Sequence, residues 1–153
     1  MVTKNNLWQE TLYPLFLTTL SSCTLTQYTD AELEHELGNF ARRAIARFMF
    51  PRISLQYTQD EANNYMFVHD VTDKELEVIV AYMNVLWLEY QLQKERHYEN
   101  VYVDKDVKAF SSGSLITAIT KALESHNLRA RKIEEHYYRS ENGQSTLEDL
   151  NGG

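Results

Sequence analysis

A mainly α fold, a helical bundle with a central buried helix, a small β-hairpin and an extended C-terminal tail, is what this sequence predicts. Three observations carry it. Two capping boxes, Thr29-Asp30-Ala31-Glu32 and Thr72-Asp73-Lys74-Glu75, each open a run of apolar residues at three- and four-residue steps. The second run is apolar almost all the way round, as a helix buried on most sides must be. Between the two runs, Ile53, Leu55 and Tyr57 alternate with Ser54, Gln56 and Thr58, which is the period of a strand.

In chain order, Leu7, Trp8, Tyr13, Leu15, Phe16, Leu17 and Leu20 form a mixed helical pattern with Pro14 inside it. Proline lacks a backbone donor and crowds the preceding turn. The pattern therefore predicts a short helix that kinks or restarts at Pro14, where proline suits a first turn. Residues 21–27 are small and polar, hence a loop. From Thr29 the stripe Leu33, Leu37, Phe40, Ala41, Ala44, Ile45 and Phe48 predicts an amphipathic helix ending near Phe50, because Pro51 disfavours helical geometry in the residue before it. Acidic Asp30, Glu32 and Glu34 suit the positive end of that helix's dipole. The hairpin spans about 53–68, turning through 59–64 and returning over 65–68. A hairpin alone is marginal in water, so it must pack on the helices or add to a neighbour's strands.

The central helix runs from Thr72 to about Arg96 on Leu76, Val78, Ile79, Val80, Met83, Val85, Leu86, Trp87, Leu88 and Leu92. Residues 98–110 read as a loop, with Ser111, Ser112 or Ser114 capping a last helix. That helix carries Leu115, Ile116, Ile119, Ala122, Leu123, Leu128, Ile133 and Tyr137, with Asn127 a soft spot. Arg129, Arg131 and Lys132 are offset by Glu134 and Glu135, which reads as a solvated face. The domain thus covers residues 1–139. Residues 140–153, SENGQSTLEDLNGG, are a polar tail with Leu147 and Leu150 as its apolar side chains, too few to offset the entropy of ordering it.

The composition is that of an ordinary globular protein, 43% hydrophobic and 24% charged in 153 residues. A net charge of −7 argues against a phosphate-binding surface, which needs clustered Lys and Arg, yet it suits a wall past which nucleic acid slides. Ten of the aromatic residues are tyrosines, whose apolar body and polar tip fit half-buried and interface positions. The single cysteine, Cys23, cannot form an internal disulfide. No apolar run is long enough for a membrane span, and no leader pattern opens the chain, so the expectation is a soluble protein made in a cytoplasm.

Catalytic chemistry finds little support. The five histidines have no metal spacing with the cysteine, and His35 lacks the second histidine of a zincin helix. Glu32-Leu33-Glu34-His35 matches the Glu-x-x-His motif of di-iron bundles, but a second copy and two further glutamates are wanting and the motif falls in a capping turn. Ser111-Ser112-Gly113-Ser114 could seat an anion but reads better as a cap. The carboxylate pairs Glu134 with Glu135 and Asp104 with Asp106 read as solvated charges. No enzyme activity, metal or cofactor is expected.

Three stretches, taken in order, resemble tailed-bacteriophage head-to-tail connector proteins, also called neck or adaptor proteins. They are TDAELEHELGNFARRAIARFMFP at 29–51, VTDKELEVIVAYMNVLWLEYQL at 71–92 with Met83, Trp87 and Gln91, and VDKDVKAFSSGSLITAITKALE at 103–124, where Lys-Asp-x-Lys-x-Phe-Ser leads into the last helix. The likeness covers roughly residues 10–138. It implies a non-enzymatic virion protein that forms a homo-oligomeric ring, typically of twelve copies, below the portal protein. Such a ring extends the DNA channel without binding DNA specifically and docks the next neck or tail protein. In relatives the C-terminal segment often reaches the portal, which makes Leu147 and Leu150, with the hairpin's Tyr57 and Tyr65, the candidate partner-binding residues. The alternative is a small helical adaptor or regulatory module of a bacterial cell that binds one soluble partner.

Overall fold

The computed structural model describes residues 6–20, 29–102 and 109–142, the side chains of 98–102, 109–112 and 141–142 excepted. Among these, four helices and one two-stranded antiparallel sheet follow in the order α1 (Leu12–Thr19), α2 (Asp30–Arg47), β1 (Tyr57–Gln59), β2 (Tyr65–Phe67), α3 (Asp73–Tyr102) and α4 (Ala109–Asn142). The mainly helical fold with a small hairpin is thus the one that the capping boxes and periodicities predict.

The central helix is α3. Helices α1, α2 and α4 all pack against it. Val78, Ile79, Met83, Val85 and Leu86 are fully buried, and Leu76, Val80, Ala81 and Trp87 nearly so. Burial on every side is what an all-round apolar sequence requires. The helix runs antiparallel to α4, so that Glu75 lies opposite Tyr137 and Tyr82 opposite Glu134. At 30 residues it is about 45 Å long. It extends past Arg96, where the sequence pattern ended it, because residues 93–97 (Gln, Lys, Glu, Arg, His) include strong helix formers that need no buried face.

Each shorter helix is fastened to α3 by polar contacts at its end. In α1, Pro14 lies in the first turn behind the N-cap residue Thr11, so the helix starts there rather than kinking. The Thr19 hydroxyl donates to Asn84 Oδ1 at 3.0 Å, and the buried Asn84 amide donates to the Val80 carbonyl at 3.1 Å. In α2, one guanidinium nitrogen of Arg47, Nη2, meets both carboxylate oxygens of Glu89 at 3.2 and 3.0 Å, a charge-assisted pair. Helix α2 ends at Arg47, three residues short of Phe50, since Phe48 has already left helical geometry at φ −74°, ψ 99°.

The capping box of α2 forms in full. The Thr29 backbone N–H and hydroxyl donate to Glu32 at 3.0 and 2.8 Å, and the Glu32 N–H donates to the Thr29 hydroxyl at 3.4 Å. These bonds hold the Glu32 carboxyl below its ordinary value. Thr29→Ala should lower stability by about 1 kcal/mol, read as a shift in the urea midpoint at constant slope.

The hairpin is shorter than its alternation. Tyr57 pairs with Phe67, Thr58 with Met66 and Gln59 with Tyr65, so pairing starts at Tyr57 rather than Ile53. Residues 53–56 keep the period in burial, with Leu55 inside and Ser54 and Gln56 outside, and the Gln56 carbonyl accepts from the Val68 N–H at 2.9 Å. The loop is a three-residue turn. Asp60 N–H donates to the Asn64 carbonyl, Asn63 N–H donates to the Asp60 carbonyl, and Asn63 takes φ 62°, a left-handed conformation that asparagine tolerates. The Asp60 carboxylate accepts from the N–H groups of Ala62 and Asn64, both at 2.9 Å, which holds its carboxyl below the ordinary value. The outer edge of β2 is covered by the chain before α1: Trp8 N–H donates to the Tyr65 carbonyl and Phe67 N–H to the Asn6 carbonyl. This answers the problem of an isolated hairpin with a third segment from the same chain.

Helix α4 departs most from expectation. It begins at Ala109, so Ser111, Ser112 and Ser114 lie within the helix rather than before its start. It passes through Asn127 unbroken and ends at Asn142, two residues beyond the predicted start of the tail. The expected loop over 98–110 shrinks to residues 103–108, which lie outside the described residues, as do residues 21–28 with Cys23 and the tail from Gly143 onward. From 113 to 129 no residue of α4 is buried; Ala130, Glu134 and Tyr137 make its one narrow buried stripe.

Candidate interaction site

The sequence-predicted residues divide between what the structure describes and what it does not. Leu147 and Leu150 lie outside the described residues. Tyr57 and Tyr65 are brought together, their rings 5.8 Å apart in an edge-on arrangement. Both lie on Trp8, which is fully buried: Tyr65 stacks on it at 4.8 Å and Tyr57 tilts against it at 5.0 Å. Tyr65 also takes the Arg42 guanidinium over its face at 5.4 Å. The hairpin tyrosines therefore help form the lid of the core, with Tyr57 37% exposed.

Under that lid α2 passes close at Gly38. A Cβ added there would meet the Tyr13 hydroxyl and the Tyr65 ring, each at 3.2 Å. Alanine would gain about 1 kcal/mol in helix propensity but would have to displace two rings of the Trp8 cluster, an overpacking cost of about 1–3 kcal/mol. Gly38→Ala is expected to be net destabilising by about 1 kcal/mol in urea titration, unlike a glycine in open helix.

A more distinctive arrangement lies at residues 49–52, between α2 and the hairpin. The Met49 N–H donates to Glu134 Oε1 at 3.4 Å, the Phe50 N–H to the Tyr138 hydroxyl at 3.1 Å, and the Arg52 N–H to the Tyr137 hydroxyl at 3.0 Å. Pro51, between them, has no donor. Every backbone N–H of this segment is thus held by a side chain of α4. The Arg52 guanidinium adds a bond to the Tyr138 carbonyl at 2.9 Å. While the backbone is tied down, the Met49 and Phe50 side chains project outward, 71% and 68% exposed. They form an apolar knob on a rigid base.

Two inward carboxylates support that base. Glu134 accepts from the Tyr82 and Tyr138 hydroxyls. Glu75, fully buried, accepts from the Tyr137 hydroxyl at 3.0 Å and from Thr72 in the second capping position. From the sequence, Glu134 reads as a solvated charge beside Glu135. The structure separates them: Glu135 pairs with Arg139 at the surface, at 2.6 Å, while Glu134 turns inward. The physical reason is spacing, because Ala130, Glu134 and Tyr137 fall on the one face of α4 that meets α3.

Burial, together with hydrogen bonds and charge from Glu134, pushes the Tyr138 hydroxyl up to about 12 and raises Tyr82 as well. Burial also raises Tyr137 and Tyr13. Each of these groups folds neutral, and its folded value lies above the unfolded value of 10.0. Their contribution to stability is therefore full below pH 10 and is lost as pH rises from 10 toward 12. Urea midpoints measured across pH should be level up to about 10 and fall steeply above it, with tyrosinate absorbance rising in step.

Turning Glu134 inward also unbalances the charge on the outer side of α4. An open groove of about 560 Å³ runs between the start of α3 and the second half of α4. It is lined by Lys74, Arg129, Lys132 and His136, by one carboxylate, Glu77, and by the apolar Leu128 and Ile133. Leu128 is 56% exposed. None of the three permanent cations pairs with a carboxylate among the described residues. The predicted solvated face thus lines a groove of net positive charge that also presents Leu128 and Ile133.

Glu32 and His35, the best metal candidates in the sequence, stay apart in role: Glu32 is held as a cap, and among the described residues no three His, Cys, Asp or Glu side chains converge to hold a metal ion. No helix among these residues is long and apolar enough to cross a membrane. The knob was missed from the sequence: two apolar residues beside Pro51 and the pair Tyr137-Tyr138 are all that the sequence offers, and neither reports the hydrogen bonds that join them. Comparison with models of protein families, with curated proteins and with solved structures finds no match for this chain.

Proposed function

We propose that this chain is a structural protein of a tailed-bacteriophage virion, a head-to-tail connector that acts by assembly rather than by catalysis. Its copies form a ring below the portal protein, extend the DNA channel and dock the next neck or tail protein. The observation that carries this reading is the knob at residues 49–52. An exposed Met-Phe pair on a mobile loop is a liability, whereas one whose backbone is bonded at every available N–H is pre-organised for a protein contact. Methionine and phenylalanine are also enriched in the centres of protein interfaces. The net charge of −7 supports a channel through which DNA passes without sticking.

The test is co-assembly with the portal ring of the same virus, followed by electron microscopy. An ordered ring of this protein on the portal is the expected result; failure to bind any portal of that virus overturns the reading. The double substitution Met49→Ser/Phe50→Ser should abolish co-assembly. Exposed changes of this kind alter stability by only about 0.5 kcal/mol or less, so circular dichroism and the thermal midpoint should stay level.

A further inference from the structure

We propose that the groove between α3 and α4 is a docking site for the chain's own C-terminal segment, with residues 147–150 as the occupant. The groove asks for a peptide that is both acidic and apolar, since Lys74, Arg129, Lys132 and His136 outweigh the single carboxylate of Glu77 and share the lining with Leu128 and Ile133. Residues 147–150 read Leu-Glu-Asp-Leu. Leu147 and Leu150 suit the apolar part of that lining, and Glu148 and Asp149 suit its cations. No acidic side chain of the described residues already pairs with Lys74, Arg129 or Lys132.

Connectivity and reach agree with this. Helix α4 ends at Asn142, and Ser140, one of the groove's own residues, lies two positions earlier. The next residue is Gly143, the type that most readily takes the left-handed conformation that turns a chain back along the helix it leaves. Arg129, Lys132 and His136 lie 13, 10 and 6 residues before Asn142, roughly 9–20 Å back along the helix. Residues 147–150 lie 5 to 8 residues beyond Asn142, a reach of roughly 16–26 Å when extended. The two spans overlap without any strain on the connection. Tethering also gives the segment an effective concentration in the millimolar range, so a contact too weak to hold a free peptide suffices here.

The inference concerns the free chain and does not rest on the connector reading, and its experiment contains no portal. The full-length protein, as an equal mixture of ¹⁴N- and ¹⁵N-labelled chains at low micromolar concentration, is treated with a zero-length carbodiimide cross-linker and digested for mass spectrometry. The expected products join Lys74 or Lys132 to Glu148 or Asp149 within chains of one isotope. Absence of these products overturns the proposal. Mixed-isotope products in statistical proportion also overturn it, because they place a neighbouring copy's segment in the groove. Leu147→Ser/Leu150→Ser leaves both carboxylates reactive and should cut the yield at least about tenfold. Arg129→Glu keeps both lysines available and reverses an exposed charge; its yield should fall as well, and an unchanged yield in both variants would mark the cross-links as random encounters.

Discussion

Trp8→Ala is expected to be the most damaging single substitution in the described structure, lowering stability by about 3–5 kcal/mol. Trp8 is wholly buried and is the hub of the aromatic lid. Tyr13 meets it edge-on at 6.4 Å, Tyr57 and Phe67 tilt against it at 5.0 and 5.4 Å, and Tyr65 stacks on it. Its backbone also ties the hairpin to the rest of the chain, since its N–H donates to the Tyr65 carbonyl and so adds a third segment to the two strands. Removing the indole would open a cavity under β1 and β2 and leave a two-stranded hairpin that is marginal by itself. A loss of that size is a large fraction of the 5–15 kcal/mol typical of a domain. Urea unfolding followed by aromatic ellipticity should show the drop. Trp8→Phe should lose much less, because the buried indole N–H makes no hydrogen bond in the described structure and its removal costs only volume. A Trp8→Ala loss no greater than that of Trp8→Phe would show that the lid does not depend on this ring.

The helices were legible because their signals are local. Thr29 with Glu32 and Thr72 with Glu75 mark starts within four residues, and the apolar run 76–92 marks burial without reference to any other element. The hairpin was legible in kind but not in extent. Alternation at Ile53, Leu55 and Tyr57 reports which side chains face the core, whereas the ladder depends on where Asp60 closes the turn and on how far β2 can pair. The start of α4 was missed because serines that often cap helices can also sit inside one. The knob was illegible for a different reason. Met49 and Phe50 are apolar residues beside a proline, and their exposure depends on hydrogen bonds to Glu134, Tyr137 and Tyr138, about 85–90 residues away in the chain. The basic groove was hidden by the same carboxylate, since only its inward direction removes it from the charge balance of α4.

Glu134→Ala should cost about 2–4 kcal/mol and, unlike Trp8→Ala, should also disorder the knob. One carboxylate serves the Tyr82 hydroxyl, the Tyr138 hydroxyl and the Met49 N–H. Each buried donor left without an acceptor costs about 1–3 kcal/mol, and those groups that can reach water cost less, which sets the range. Tyr138 in turn accepts from Phe50, so losing its own acceptor frees the hydroxyl to rotate away from that N–H. Hydrogen exchange at the Met49 and Phe50 amides should therefore accelerate well beyond what the fall in global stability explains. Glu134→Gln keeps the shape and one acceptor oxygen and should lose roughly half as much. The tyrosines supply an independent readout. Glu134 raises Tyr82 and Tyr138 by hydrogen bonding and by charge, after burial itself, so Glu134→Ala should bring both part of the way back toward 10. The alkaline loss of stability would still begin near pH 10 but would level off at lower pH and be smaller in total. If amide exchange at residues 49 and 50 stayed unchanged in Glu134→Ala, the base of the knob would lie elsewhere, and this carboxylate would not hold Met49 and Phe50 in a fixed pose.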